Sequence, residues 1–349
     1  MPDGAALRVG IDAQLARGSA TGIGEYLAGL IPALRGAGVE AVALDSARLD
    51  PWRFDRRVLW DQVLLPIRAA AARIDLVHCA AGTMPLLRTV PAVATVHDVA
   101  WLHVQQHARP YARAYFGSFQ LARYRSAARI MVDSSFSRAQ LLELGGFDAG
   151  KVSVVYPGVA ADVAAIERLP DAEPFALAVG TVEKRKNLEV VIEALAGVPG
   201  LRLVVVGPAT PYQELCVRLA AERGVAERIE FRGYVSRGEL RDLYARATVV
   251  VVPSRYEGFG YAVAQARCAG VPFVAANSSS LPEVADDAGP VVSPDDAEAW
   301  AAALGGLLEG RAAAEARASG DRSAAILRFA WSTAAARVAA VYEAALAEP

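Results

Sequence analysis

The chain has 349 residues, 54% of them hydrophobic in type, with 36 basic and 38 acidic side chains and a formal charge of -2 at neutral pH. That length exceeds what one hydrophobic core ordinarily organises and predicts two domains. The balanced charge gives no global attraction to nucleic acid, and no uninterrupted apolar stretch reaches the roughly 18 residues of a spanning helix.

The N-terminal residues Met1-Pro2-Asp3-Gly4 lack the basic and then apolar pattern of a secretory signal. Cys79, Cys216 and Cys268 lie far apart and follow no metal-ligand spacing. They read as small buried hydrophobes in a reducing compartment. The cytoplasm is the expected location.

In chain order, short β-type runs alternate with helical stretches. Residues 7–11, 39–44, 74–77, 93–96, 130–132 and 152–155 form a first set of strands. Residues 175–179, 201–206, 229–231, 249–252, 271–275 and 289–292 form a second. Alanine-rich segments such as 23–35, 211–223 and 238–246 read as helices between them. This alternation predicts an α/β fold with parallel sheets covered on both faces. Two sets imply two doubly wound, Rossmann-like domains, 1–160 and 174–328, with a break near 160–173 where Pro170-Asp171 and Glu173-Pro174 interrupt the pattern. Ligands of such sheets bind beyond the carboxyl ends of the strands. Facing edges would make a deep interdomain cleft.

Lysine is rare here, with three against 33 arginines, yet two of the three fall in Lys184-Arg185-Lys186-Asn187. This stretch follows the apolar run ending at Gly180 and precedes a helical pattern from Leu188. Three cations before a helix N-terminus, itself partly positive, repel one another unless an anion sits there. A solvated basic turn is the alternative.

A second motif begins where Val249-Val250-Val251-Val252 ends at Pro253-Ser254. Arg255-Tyr256-Glu257-Gly258-Phe259-Gly260 follows, and then a helix. The glycines allow close backbone approach, and the helix start supplies N–H donors. Glu257 could accept hydrogen bonds from hydroxyls, with Gln265 two turns along on roughly the same face. The plainer reading makes Glu257 a favourable charge near a helix N-terminus and Gln265 a surface residue.

Residues 180–188 and 253–260 resemble the donor-site motifs of glycosyltransferase family 4. So do Ala269-Gly270-Val271-Pro272 and Ser280-Leu281-Pro282-Glu283-Val284. In the first half, Gly10-Ile11-Asp12-Ala13, Thr21-Gly22-Ile23-Gly24 and His97-Asp98 are similar to the family, as are Phe329-Ala330-Trp331 and Tyr342 near the end. The resemblance implies a retaining enzyme of GT-B architecture. It implies an acceptor-binding first domain, a donor-binding second domain, and a segment 329–349 packing back on the first. It also implies that Lys186 and Arg185 grip the donor diphosphate and that Glu257 contacts sugar hydroxyls near the Gly258, Phe259 and Gly260 backbone. Gly180 lies in the same motif. Gly233, Tyr234 and Val235 would cradle the base. The family places a second glutamate on the ribose, where this chain has Gln265, which keeps an acceptor, adds donors and loses charge assistance.

His97, followed by Asp98, closes an apolar strand at the ligand edge. A lone histidine is more often structural, but the resemblance places His97 near the transferred sugar. Asp98 reads equally as a cap of the next turn or a site residue. Gly22 and Gly24, in a glycine loop between first strand and first helix, would approach the diphosphate.

The implied reaction moves a hexose from a nucleotide diphosphate sugar to an acceptor hydroxyl. GDP-mannose is the first expectation, from mannosyltransferase-like members, with UDP- and dTDP-sugars open. No metal and no cofactor are expected, because Lys186 and Arg185 supply the charge. The acceptor would be a saccharide, a lipid-linked molecule or a small metabolite. Trp52, Arg53, Phe54, Arg56, Arg57 and Trp60, with Arg109, Arg113, Arg123, Arg125 and Arg129, could touch an anionic lipid surface. The alternative is a solvated face with Trp52 and Trp60 packed inward. A non-catalytic GT-B partner subunit and a nucleotide-sugar epimerase are the competing functions.

Overall fold

Among the described residues, twelve strands and the helices between them build two parallel sheets, β2-β1-β3-β4-β5-β6 and β12-β11-β10-β7-β8-β9. The computed structural model describes residues 6–16, 22–50, 52–99, 111, 114–169 and 173–347. The first sheet comprises β1 (Leu7–Asp12), β2 (Val39–Leu44), β3 (Leu76–Cys79), β4 (Ala92–Val96), β5 (Arg129–Val132) and β6 (Val152–Val154). The second comprises β7 (Phe175–Val179), β8 (Arg202–Val206), β9 (Ile229–Gly233), β10 (Val249–Val252), β11 (Phe273–Ala276) and β12 (Val291–Val292). Parallel strands need long crossovers, and helices supply most of them, the β3–β4 connection 80–91 being an irregular loop.

The chain divides into two units: residues 1–158 with 330–349, and residues 159–329. Residues 160–169, read from the sequence as a break, belong to the second unit. Asp162 pairs there with Arg237, and Arg168 donates to the carbonyls of Tyr244, Ala245 and Ala247.

In unit 1, side-chain alternation along the strands fills a core on each face of the sheet. Val9, Ile11, Val93 and Met131 face the helices Gly22–Gly36 and Trp331–Ala347, which contribute Leu27, Leu30, Leu34, Val338 and Tyr342. Ala92, Ala94, Val96, Ile130 and Val132 face the other way, against Trp60, Leu65 and Tyr124. In unit 2, the helix Leu188–Leu195 buries Leu188, Val191, Ile192 and Leu195, the spacing of one helical face.

Strand order reverses between β1 and β3 in the first sheet and between β7 and β10 in the second. The crevice at such a reversal is where an open α/β sheet receives its ligand. Among the described residues no helix is long and apolar enough to cross a membrane.

Candidate functional site

The carboxyl ends of β7 and β10, the two strands at the reversal of the second sheet, carry the basic motif and Glu257. β7 runs into Gly180, whose φ of +134° suits glycine. Gly180 N donates to Val206 O, and Gly207 N donates to Gly233 O, both at 2.8 Å, which laces the ends of β7, β8 and β9 together. The backbones touch so closely that a Cβ on Gly207 would stand 2.0 Å from Gly180 O. A Cβ on Gly180 would press on Lys186, 3.1 Å from its Cε.

Lys184–Lys186 form a single 3-10 turn that ends in Asn187, which is left-handed at φ 54°. Asparagine tolerates that conformation better than most residues. Its buried amide donates to the carbonyls of Pro253 (3.1 Å) and Pro294 (2.8 Å). Arg255 N donates to Arg185 O at 2.9 Å. The two motif loops are therefore one structure, with Lys186 and Arg185 aimed at the loop after β10.

Glu257 receives both cations. Lys186 Nζ donates to its Oε1 at 2.6 Å and Arg185 Nη1 to its Oε2 at 3.0 Å. Ser254 Oγ adds a 2.8 Å bond to Oε1. Arg185 also donates to Glu183 and to the Tyr256 carbonyl. The repulsion implied by three clustered cations is thus met by two carboxylates of the protein. Burial pushes the Glu257 carboxyl up, but the charges of Lys186 and then Arg185 outweigh it and hold it below its ordinary value. Burial likewise pulls Arg185 down, and Glu257 and Glu183 together leave it raised.

Two serines hold the Glu257 backbone, and a third holds the loop before it. Ser279 Oγ accepts from Glu257 N and Ser280 Oγ donates to Glu257 O, both at 2.9 Å. Ser278 Oγ donates to the carbonyl of Ser254 at 2.6 Å. Reading the sequence assigned no role to Ser254, Ser278 or Ser279, although small hydroxyls flanking both motifs were the available signal.

Gln265 accepts from the buried Tyr244 hydroxyl at 2.9 Å and is not bonded to Glu257. Phe259 is buried against Tyr261 and Phe329, so its ring serves the core. Gly260 takes φ 99° and caps the helix Tyr261–Ala269, with Gly258 in the turn before it. Gly233 takes φ 64°, while the Tyr234 ring is exposed and Val235 half-buried.

In unit 1, His97 follows β4 and bonds to Asp133 and to the Ala80 carbonyl, with Asp98 half-buried beside it. Gly22 and Gly24 lie in the first turn of the helix Gly22–Gly36, not in a loop before it. The first N–H groups of a helix need no intrahelical partner, so the turn can begin at glycine. Thr21 falls outside the described residues, as do Arg109 and Arg113.

The aromatic and basic group 52–60 is also corrected. Trp60 is fully buried, and its indole donates to Asp12 at 2.9 Å. Arg57 is buried between Asp12 (3.3 Å) and Asp61 (3.0 Å). A desolvated guanidinium must be paired, so neither residue is available to a lipid surface. Trp52 is 57% exposed and does not pack inward.

The sequence model described as "Glycosyl transferases group 1" matches residues 161–323, and that described as "Glycosyltransferase Family 4" matches residues 20–163. The chain belongs to glycosyltransferase family 4. Among relatives, the D-inositol 3-phosphate glycosyltransferase of Mycolicibacterium smegmatis is 30% identical over 280 residues, which are 76% of this chain and 63% of that protein. The protein of that name from Xylanimonas cellulosilytica is 36% identical over 284 residues, 74% and 66% of the two chains. The match spans less than two thirds of the length of either relative.

Sucrose-phosphate synthase from Thermosynechococcus elongatus superimposes with a TM-score of 0.78 at 21% identity, over 97% of this chain and 98% of that one. Anabaena HepE in complex with UDP-glucose gives 0.74 at 17%, over 97% and 99%. At these identities the likeness establishes the fold, which is the two-domain GT-B type of the family.

Proposed function

We propose that the chain is a retaining hexosyltransferase that takes a sugar from a nucleotide diphosphate donor and passes it to an acceptor hydroxyl. The observation that carries this reading is the convergence of Lys186 and Arg185 on Glu257 at the strand reversal of unit 2. As a glycosidic bond to a diphosphate breaks, negative charge builds on the leaving phosphate. Cations already fixed in place stabilise that charge without reorganising. Glu257, with its backbone held by serines, keeps the two cations apart in the free protein and offers carboxylate oxygens to sugar hydroxyls. No divalent ion is required by this scheme, and turnover is expected to persist in chelator.

GDP-mannose remains the first candidate donor, from the motif resemblance. UDP-sugars come second because HepE, a protein of the same fold, was crystallised with UDP-glucose. A polyol phosphate is a candidate acceptor, in view of the names of the relatives. The roles given to His97, Asp98, Gly22, Gly24 and Gln265 belong to this proposal and rest on resemblance.

The test is thermal shift across UDP, GDP, ADP and dTDP, each alone and as its sugar conjugates. A ligand that binds only the native state raises the melting temperature, by an amount that grows with the logarithm of its concentration relative to its Kd. One base should stand out, and its sugar conjugate should be consumed once an acceptor is supplied. A flat response to all of them, repeated by calorimetry, would favour a non-catalytic subunit.

A further inference from the structure

His97 stands directly after β4, and both its ring nitrogens face oxygens that can only accept. Nδ1 lies 2.7 Å from Asp133 Oδ2, and Nε2 lies 3.0 Å from the backbone carbonyl oxygen of Ala80. A neutral imidazole has one N–H. It could serve one of these oxygens and would set a lone pair against the other. The doubly protonated ring serves both.

The surroundings favour that form. Asp133, at the end of β5, is 4% exposed. From the helix Gly22–Gly36, Tyr26 meets the His97 ring edge-on with centroids 4.9 Å apart. From β3, His78 is fully buried between the Tyr342 hydroxyl and the Thr95 hydroxyl. Burial and, less, the charge of His97 push it down to about 3, so it is neutral. Asp98, on the same loop, adds a second negative charge. Burial alone would lower His97, but the charge and hydrogen bond of Asp133 and the Ala80 carbonyl leave it above 6.5.

We propose that Asp133 is a positioning residue: through a doubly protonated His97 it ties the carboxyl ends of β3, β4 and β5 together and fixes the backbone of His97 and Asp98 at the ligand edge of the sheet. His97 neither takes nor gives a proton while this clasp holds. Any contact from His97 to a ligand comes from its backbone and the ring's C–H edge. Loss of the clasp frees three strand ends at once.

The activity arm of the test rests on the glycosyl transfer proposed above, and the spectroscopic arm does not. Imidazole nitrogen NMR of the whole chain, with the His97 signal assigned by its loss in His97→Gln, should show both nitrogens protonated at pH 7. In Asp133→Asn the ring should become neutral at pH 7, because burial is then opposed only by the Ala80 carbonyl and the weaker charge of Asp98. Turnover should fall on the order of 10-fold or more with little change in the KM for donor, as expected when a reacting geometry loosens. A neutral His97 in the wild type, or a doubly protonated one in Asp133→Asn, would overturn the clasp. So would a neutral His97 in Asp133→Asn with turnover unchanged.

If that variant does not fold, the wild type still decides. The alkaline fall in turnover should share its midpoint with the NMR titration of His97, and a clear separation of the two would overturn the positioning role. If no donor is turned over at all, the proposed reaction fails, and the NMR result alone judges the clasp.

Discussion

Lys186 Nζ donates across 2.6 Å to Glu257 Oε1, although 71 residues separate the two in the chain. The pair bridges the loops after β7 and β10, and Arg185 closes it from the other carboxylate oxygen. Because the Glu257 carboxyl is held below its ordinary 4.5, the pair contributes stability that is present above 4.5 and fades as pH falls through the depressed folded value. Glu257→Gln keeps the shape but leaves two partly buried cations short of a counter-charge. It should cost about 3 kcal/mol at pH 7. Melting temperatures of variant and wild type should converge below pH 4.5, and a gap that stays constant with pH would contradict the pairing.

Lys186→Ala tests the chemistry. It should lower turnover about 10²- to 10³-fold, the effect of deleting one preorganised charge-stabilising group. Circular dichroism should show the same fold. Full activity in a folded variant would remove Lys186 from the proposed mechanism.

Asn187 combines a left-handed backbone with an amide that donates to two buried carbonyls. Glycine there would lose both bonds but keep the backbone at ease. Alanine would lose both and add about 1 kcal/mol or more of strain. Urea unfolding should therefore rank wild type above Asn187→Gly and Asn187→Ala lowest. The reverse order of the two variants would show that the backbone conformation is not what asparagine supplies.

Asp12 and Asp61 share one buried guanidinium, Arg57. Burial first, and then the second carboxylate against the relief from Arg57, raise Asp61 from 3.8 to about 6. A raised folded value means that the contribution of Asp61 is fully present below 3.8 and is lost as pH rises through about 6. Asp61→Asn mimics the protonated acid at every pH. Its melting temperature relative to wild type should rise between pH 4 and pH 7, and a flat or falling difference would refute the raised value.

Most strands were legible because they are short, largely apolar runs bounded by breakers, a pattern that burial of the inner strands on both faces demands. All twelve appear, with shifts of one or two residues at several ends, as at β3 and β11. Lys186, Arg185 and Glu257 could be singled out because clustered cations before a helix start, and a carboxylate in a glycine-rich turn, each follow a strand-like run. Their mutual pairing could not, since nothing local in a sequence says which distant side chains meet. For the same reason Asp133 was missed beside His97, as was Tyr244 behind Gln265. Gly22 and Gly24 suggested a loop because glycine lowers helix propensity, but the packing of Leu27, Leu30 and Leu34 against the sheet decides where that helix begins.

The core of unit 1 takes Ala335, Val338, Val341 and Tyr342 from the helix Trp331–Ala347. Unit 2, by contrast, closes on itself where Val159 N donates to Phe329 O at 2.7 Å. During synthesis the chain emerges N-terminus first, and domains fold as their parts appear. The unit begun first is therefore the one finished last. Its sheet waits, with part of one apolar face uncovered, until the whole of unit 2 and the helix Trp331–Ala347 have left the ribosome. A stop codon near residue 330 would spare the later unit and strand the earlier one.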